Sequence, residues 1–109
     1  MLRTKAQSKK ICGPCPIAKT ADLVGDSVVL LIMRDLMQAP KRFKDITASL
    51  PGVSTRTLTN KLKFLEEKGL LTKEEQRTTP PYTAYILTEK GGGLQKIIND
   101  MERYGNDFL

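Results

Sequence analysis

Two short amphipathic segments that meet at the turn sequence LPGV, residues 50–53, constrain the fold of this chain more than any other feature. The segment before the turn, RFKDITASL, repeats apolar residues at one-turn intervals and predicts a short helix. A second helix, about residues 54–68, is predicted after the turn. Its start is specified locally, because Ser54 is a good N-cap and Val53 can pack on Leu58 as a hydrophobic staple. Two helices joined by a short turn that contains glycine form a helix-turn-helix.

Two further helices are predicted before this motif. Pro16 suits the first turn of a helix because it has no amide hydrogen to satisfy, and Gly25 ends that helix. Asp26 or Ser27 can cap the second helix, which Pro40 closes. The face of this second helix that is expected to be buried consists of Val28, Leu31, Ile32 and Leu36.

After the motif the pattern changes to that of a hairpin and a last helix. The β-branched and aromatic residues around Pro80-Pro81 predict two short strands and a loop within about residues 72–87, which form a wing. Thr88 is expected to cap the last helix directly. One stripe of that helix collects Leu94, Ile97, Ile98, Met101, Tyr104 and Phe108. The predicted fold is therefore mainly α with a small β-hairpin wing, a winged helix-turn-helix.

Length and charge indicate one basic domain. With 109 residues and 39% apolar content, the chain can bury one modest core, which we assign to residues 15–109. Residues 1–14 are expected to form a flexible basic arm. Lysine and arginine number 18 against 12 aspartates and glutamates, and this net charge of +6 suggests a polyanionic partner. No apolar run is typical of a signal peptide or long enough to span a bilayer, so a cytoplasmic protein without membrane contact is expected.

The helix after the turn presents a polar face suited to DNA. At about 100° per residue, Leu58, Leu62 and Leu65 fall on one side and form a seam expected to be buried. The opposite side carries Arg56, Thr59, Asn60 and Lys63. In a major groove arginine can pair with guanine and asparagine with adenine. The face therefore predicts contact with double-stranded DNA; an ordinary solvated helix face is the alternative.

Residues outside that face complete the predicted DNA-binding set. The amides and hydroxyls at a helix N-terminus can bind a backbone phosphate, and an arginine at the wing tip can reach a minor groove or a phosphate. For the wing residue, an ordinary exposed loop arginine is the alternative. The complete set is Arg42, Lys44, Ser54, Thr55, Arg56, Thr59, Asn60, Lys63 and Arg77.

The sequence CGPC, with Cys12 and Cys15, matches the four-residue pattern of thioredoxin-like oxidoreductases. That enzyme framework needs a preceding strand, and none is predicted here. The chain has no histidine and no further cysteine, so the pair supplies half of a four-sulfur site, and we predict no enzyme activity, no cofactor and no metal. Cys15 precedes Pro16 at the start of the first helix, where the helix dipole and Lys19 favour a reactive thiolate. Cys15 is thus a candidate redox sensor. A semi-buried cysteine without a signalling role remains an alternative, and an oxidoreductase and a metal site shared by two chains are less favoured ones.

Five segments of the chain together carry a family resemblance. They are CPI (15–17), LVGDSVVLLIMRDL (23–36), RFKDI (42–46), LPGVSTRTLTNKLKFLEEKGLL (50–71) and PPYTAYILTEKG (80–91). In this order they resemble the HxlR family of bacterial and archaeal winged-helix transcriptional regulators, relatives of the MarR group. The family usually has Lys-Trp where this chain has Ser27-Val28, so a large core aromatic is missing here.

The resemblance implies a homodimer on a pseudo-palindromic operator, with two recognition helices about 34 Å apart in successive major grooves. The N-terminal and C-terminal helices would act as dimerisation elements. The candidate interface residues are Ile17, Leu94, Ile97, Ile98, Met101 and Tyr104. Packing of the C-terminal stripe on the chain's own first helix is the alternative, and the two can hold together. The resemblance further implies that Cys15 reacts with oxidants, quinones or aldehydes; Cys12 is outside the family pattern and could resolve an oxidised Cys15. A regulator controlled by a small ligand or by none, and a winged helix used for protein contacts, stay open as alternatives, with the inducer unknown.

Overall fold

The computed structural model describes residues 15–109, so the predicted basic arm and its Cys12 lie outside the described residues. The helices are α1 Pro16–Val24, α2 Ser27–Gln38, α3 Phe43–Ser49, α4 Thr55–Glu67, α5 Glu89–Gly92 and α6 Gln95–Phe108. The strands are β1 Lys41–Arg42, β2 Leu71–Gln76 and β3 Tyr82–Leu87. This element order is that of a winged helix-turn-helix, as the sequence predicts.

The first two helices meet at a two-residue junction. Gly25 closes α1, and its backbone N–H donates to the carbonyl of Ala21 at 2.8 Å. Asp26 then caps α2, because its Oδ1 accepts hydrogen bonds from the backbone N–H groups of Val28 and Val29 at 3.0 and 3.1 Å. The sequence predicts Asp26 or Ser27 as the N-cap of α2, and in the structure the cap is Asp26.

The buried face of α2 differs in part from the predicted one. Its buried apolar residues are Val29, Ile32, Met33 and Leu36. Leu31, expected in the core, is 37% exposed, and Val28 is half-buried. In the nearly continuous apolar run VVLLIM two overlapping stripes have helical spacing, and packing against the rest of the fold selects the stripe that begins at Val29.

The helix-turn-helix agrees with its sequence pattern. Ser54 caps α4, where its Oγ accepts a hydrogen bond from the N–H of Thr57 at 3.1 Å. Leu58, Leu62 and Leu65 are all buried. Gly69 has a φ of 76° just beyond the helix, in the left-handed region that glycine adopts without a steric penalty.

The sheet has three strands rather than the two predicted. Their order is β1-β3-β2, and all pairs are antiparallel. In the short strand β1, Lys41 pairs with Tyr85 and Arg42 with Ala84. Arg42 therefore belongs to a strand and to the N-cap of α3, whereas the sequence pattern included it in the helical segment. Two residues are too few to show strand alternation.

The last helix also differs from prediction, because Thr88 caps the short helix α5 rather than a continuous final helix. Gly91 lies within α5 close to the preceding segment: a Cβ at this position would lie 2.1 Å from the carbonyl oxygen of Leu70, so only glycine allows this approach. The helix is then interrupted at Gly93, and α6 begins after Leu94.

A single core joins these elements. It lies among α2, α3, α4, the sheet and the start of α6. Its buried apolar residues are Val29, Ile32, Met33, Leu36, Ile46, Leu50, Leu58, Leu62, Leu65, Leu70, Leu71 and Leu94. The core holds α4 by one face and leaves its other face in solvent.

Candidate nucleic-acid interface

The outer face of α4 is exposed to solvent. With the leucine seam buried, the opposite side of the helix points away from the protein. Arg56, Thr59, Asn60 and Lys63 are all exposed, as are Ser54 and Thr55 at the N-terminus. The two predicted faces of this helix are therefore separated as the periodicity requires, and the six polar side chains are all accessible.

The N-terminus of α4 uses part of its polar capacity internally. The Ser54 hydroxyl accepts from the backbone N–H of Thr57 and donates to the Thr57 hydroxyl at 3.0 Å. Its hydrogen is thus engaged in the cap. A phosphate at this position would meet the first backbone N–H groups of the helix and the Thr55 side chain, with Ser54 acting mainly through the cap.

The wing places Arg77 at the loop between β2 and β3, where it is exposed. The loop has one internal hydrogen bond that fixes its shape, from the Thr78 hydroxyl to the carbonyl of Pro80 at 2.9 Å. Arg77 thus projects from a hairpin whose two strands pair along their full length. This is the position of the tip of a wing.

Arg42 and Lys44, the two remaining predicted residues, differ in their surroundings. Lys44 is exposed on α3. Arg42 is held between an ion pair with Asp45, Nε to Oδ2 3.4 Å, and the Tyr82 ring, whose centroid lies 5.2 Å from the guanidinium carbon. The backbone N–H of Arg42 and then its guanidinium donate to the Asp45 carboxylate, and they hold the pKa of Asp45 below its ordinary value. Tyr82 had no sequence signal that linked it to this cluster.

An ion pair that the sequence did not reveal links α4 to the junction between α1 and α2. The Nζ of Lys61 contacts Oδ2 of Asp26, and the Asp26 side chain is 10% exposed. Burial raises the pKa of Asp26, but hydrogen bonds from Lys61 and from the backbone N–H of Val29 outweigh burial and hold the pKa below its ordinary value. Asp26 is therefore a carboxylate with both oxygens engaged.

The other end of α4 is closed by the segment after the wing. The Thr88 hydroxyl donates to the carbonyl of Gly69 at 2.6 Å, and the Lys90 ammonium donates to the carbonyl of Lys68 at 2.7 Å. These carbonyls belong to the helix C-terminus, which has no intrahelical donors for them. The end of α4 is thus connected directly to α5.

The predicted interface residues lie on α1 and at the C-terminus with very different exposure. Leu94 is buried in the core of its own chain, and Ile97 and Ile98 are half-buried. Ile17 is 80% exposed, and Met101 and Tyr104 are exposed as well. The exposed set extends to Phe108, whose ring centroid lies 5.0 Å from that of Tyr104.

Cys15 is the N-cap residue of α1 and is half-buried. Its carbonyl accepts a hydrogen bond from the backbone N–H of Lys19 at 3.0 Å, and Pro16 occupies the first helical position, as predicted. Among residues 15–109, no group of three or more acidic, histidine or cysteine side chains is placed to hold a metal ion. Within the same range, no helix combines the length and the apolar character needed to cross a membrane.

A helix-turn-helix with its outer face exposed and a paired hairpin beside it defines the class of winged helix-turn-helix transcriptional regulators. Within that class, this chain belongs to the HxlR family: the family model for the HxlR-like helix-turn-helix matches residues 23–109. The chain is 37% identical over 95 residues to the HTH-type transcriptional regulator YodB of Bacillus subtilis (strain 168), covering 86% of this chain and 85% of YodB. The family consists of regulators, so the oxidoreductase alternative drawn from CGPC is wrong.

Two solved structures resemble the whole described fold. The reduced form of YodB from B. subtilis has a TM-score of 0.75 at 36% identity and covers 87% of this chain and 94% of its own. The redox regulator HypR in its oxidised form has a TM-score of 0.79 at 29% identity and covers 87% of this chain and 98% of its own. The family match begins at residue 23, so Cys15 stands before the matched range.

Proposed function

We propose that this regulator binds DNA as a homodimer and that modification of Cys15 changes its affinity. Each protomer would place α4 in a major groove of a pseudo-palindromic operator, with the wing residue Arg77 beside it. The observation that carries the DNA-binding arrangement is the exposed polar face of α4, opposite a leucine seam that the chain's own core covers. Such a face, with arginine and asparagine aimed outward, matches the chemistry of base edges and phosphates.

The terminal helices support the dimer. Neither α1 nor α6 has a fully buried residue. Ile17, Met101, Tyr104 and Phe108 leave large apolar side chains in solvent, and proteins usually cover large exposed apolar surface with a partner. A two-fold axis that covers α1 and α6 would leave both α4 outer faces accessible. Leu94, which is buried in the core of its own chain, would support the dimer interface without contacting the partner.

The chemistry proposed for Cys15 starts from its thiolate at the N-cap of α1, where the helix dipole favours negative charge. A hydroperoxide transfers one oxygen to the sulfur, which gives a sulfenic acid and releases the peroxide's remaining oxygen as water or alcohol. A second thiol, from Cys12 or from the Cys15 of the other protomer, then attacks this sulfur. A disulfide forms and water leaves. A quinone would instead add to the sulfur, with no leaving group.

The relatives support this switch, since YodB has a structure described as its reduced form and HypR is described as a redox regulator. A DNA-binding regulator without redox sensing is the second candidate. The observation that favours it is the family match from residue 23 onward, which contains the complete helix-turn-helix and wing without Cys15.

Selection from a pool of random duplexes by the reduced protein tests the DNA-binding arrangement. Arg56→Ala should lose about 1–3 kcal/mol of discrimination between the enriched duplex and random duplexes. Lys63→Ala should weaken binding to both and reduce the slope of log K against log salt by about 1. Lys96→Ala on the solvent side of α6 is the control. If neither α4 substitution changes binding, the assignment of α4 fails.

Repeating the measurement after treatment with hydrogen peroxide or benzoquinone tests the switch. The unmodified protein should change its affinity for the enriched duplex, and Cys15→Ser should not. Cys12→Ser separates a disulfide within one chain from one between protomers, because only the former needs Cys12. Equal responses of the unmodified protein and Cys15→Ser would reject redox sensing and leave the second candidate.

A further inference from the structure

The ion pair between Asp26 and Lys61 joins two parts of the molecule with different proposed roles. Asp26 stands in the two-residue junction between α1 and α2. Lys61 belongs to α4, the helix proposed to read DNA. We infer that Asp26 and Lys61 are positioning residues that fix the rotation of α4 about its own axis, and so the direction of its DNA-reading side chains. The inference rests on the proposed function, because it concerns how that surface is aimed.

The Asp26 carboxylate is rigidly placed. Its Oδ1 accepts the first free amides of α2, from Val28 and Val29, while Oδ2 faces Lys61. The junction is also held by the backbone N–H of Gly25, which donates to the carbonyl of Ala21 at 2.8 Å. The carboxylate is therefore a fixed point against which Lys61 is held.

Lys61 lies on the flank of α4, beside the leucine seam, and its side chain is 32% exposed. The seam packs α4 against the core along one face, and a contact on the flank adds a second restraint on rotation of the helix about its axis. A charged hydrogen bond on the flank resists that rotation. Asn60 is the preceding residue and Lys63 lies two further along, so any rotation of the helix carries both away from their targets.

The effect on DNA binding distinguishes a positioning role of Asp26 from a simple effect of net charge. Removing a carboxylate makes the protein more positive, which by itself strengthens DNA binding. That general effect acts on every duplex alike, whereas the positioning role predicts that Asp26→Asn loses discrimination between the enriched duplex and a random one. Asparagine retains an oxygen that can cap α2, so the loss falls mainly on the pair with Lys61. Glu66→Gln is the matched control, since Glu66 lies on the same helix and pairs with Lys73 in an exposed contact of 3.8 Å.

The experiment compares the duplex enriched by the unmodified protein with a random duplex of equal length. In Asp26→Asn and in Lys61→Met, the ratio of the two affinities should fall about five-fold. The double variant should fall no further, because both substitutions break one interaction. Lys61→Arg should keep most of the ratio, and Glu66→Gln should leave it unchanged. Circular dichroism at the assay temperature verifies that each variant is folded.

Two results would overturn the inference. One is an Asp26→Asn variant whose ratio of affinities for the enriched and random duplexes equals that of the unmodified protein. The other is a Lys61→Met variant that loses affinity equally for both duplexes with a salt slope lower by about 0.9, as expected of a direct phosphate contact. If the unmodified protein enriches no duplex, the proposed function fails and this inference fails with it, which distinguishes that case from the other two.

Discussion

The helices α4 and α6 are both amphipathic, but the chain completes the packing of only one. The apolar face of α4 is covered by the core through Leu58, Leu62 and Leu65. On α6 no residue is fully buried, and the apolar face continues outward to Tyr104 and Phe108. Similar sequence patterns thus have different outcomes in one chain.

The comparison shows that helical periodicity identifies the apolar face of a helix but does not indicate whether the same chain or a partner covers that face. Burial of an apolar side chain stabilises the fold by about 1.5–3 kcal/mol, whichever molecule supplies the cover. For α4 this burial stabilises the fold of the single chain. For α6 we expect much of it to appear on association with a second copy, and the following substitutions can separate the two cases.

The largest expected effect is on the covered helix. Leu62→Ala removes a side chain that is 2% exposed, and it should lower the free energy of unfolding by about 2–5 kcal/mol because the surrounding core cannot fully collapse into the cavity. Urea unfolding measures the change. Met101→Ala on α6, at a position 47% exposed, should change the unfolding of the dilute protein by about 0.5 kcal/mol or less. Equal losses would erase the distinction between the two helices.

The next effect is on association. Replacing Tyr104 and Phe108 together with alanine should raise the dimer dissociation constant about thirty-fold, which corresponds to about 2 kcal/mol of lost aromatic contact. Sedimentation equilibrium over a range of concentrations measures it. Gln95→Ala, on the exposed side of the same helix, is the control. If the unmodified protein sediments as a monomer at every concentration, α6 is not covered by a second copy.

A smaller effect concerns how the two helices begin. Ser54 caps α4 through a hydrogen bond to Thr57, whereas the N-cap residue of α6, Leu94, makes no side-chain capping bond. Ser54→Ala should therefore cost about 1 kcal/mol of unfolding free energy, measured by urea unfolding. Thr55→Ala, at the next residue, should stay within about 0.5 kcal/mol. If the two changes have equal effects, the cap does not stabilise α4.

Most of the fold follows from local sequence signals. The leucine seam of α4 and its Ser54 cap depend on residues within one helix, so both could be predicted from the sequence. The predicted buried face of α2 was wrong at Leu31. A continuous apolar run contains more than one stripe with helical spacing, and tertiary packing decides which of them is buried.

The features that escaped prediction depend on residues distant in sequence. Strand β1 is two residues long and exists because β3 pairs with it. The close approach of Gly91 to the Leu70 carbonyl also joins two parts of the chain that are far apart in sequence. The contact of Lys61 with Asp26 places a basic residue beside the buried seam, and no periodicity distinguishes it from a solvated lysine.

The smallest effect distinguishes the ion pairs of the two helices. On α4, Lys61 pairs with the mostly buried Asp26, whereas on α6 Lys96 pairs with the half-exposed Asp100 at 3.2 Å. The pKa of Asp26 is lowered from its ordinary value of 3.8 in the folded state, so its ionised form stabilises the fold above that value. This contribution is lost as the pH falls through the lowered pKa, because the proton then binds the folded and unfolded chains alike.

Urea unfolding at neutral pH and near pH 3 checks this difference. Asp26→Asn should be less stable than the unmodified protein at neutral pH. The gap should narrow below pH 3.8, because the unfolded form of the unmodified chain then takes up a proton on this carboxyl and the stabilisation is progressively lost. Asp100→Asn should show little gap at either pH, since an exposed pair contributes about 0–1 kcal/mol. Asp45, whose pKa is also lowered, is present in all three proteins and cancels from the comparison. A stability difference for Asp26→Asn that is the same at both pH values would mean that the charge of Asp26 does not stabilise the fold. The ion pair with Lys61 would then contribute no more than the exposed pair on α6.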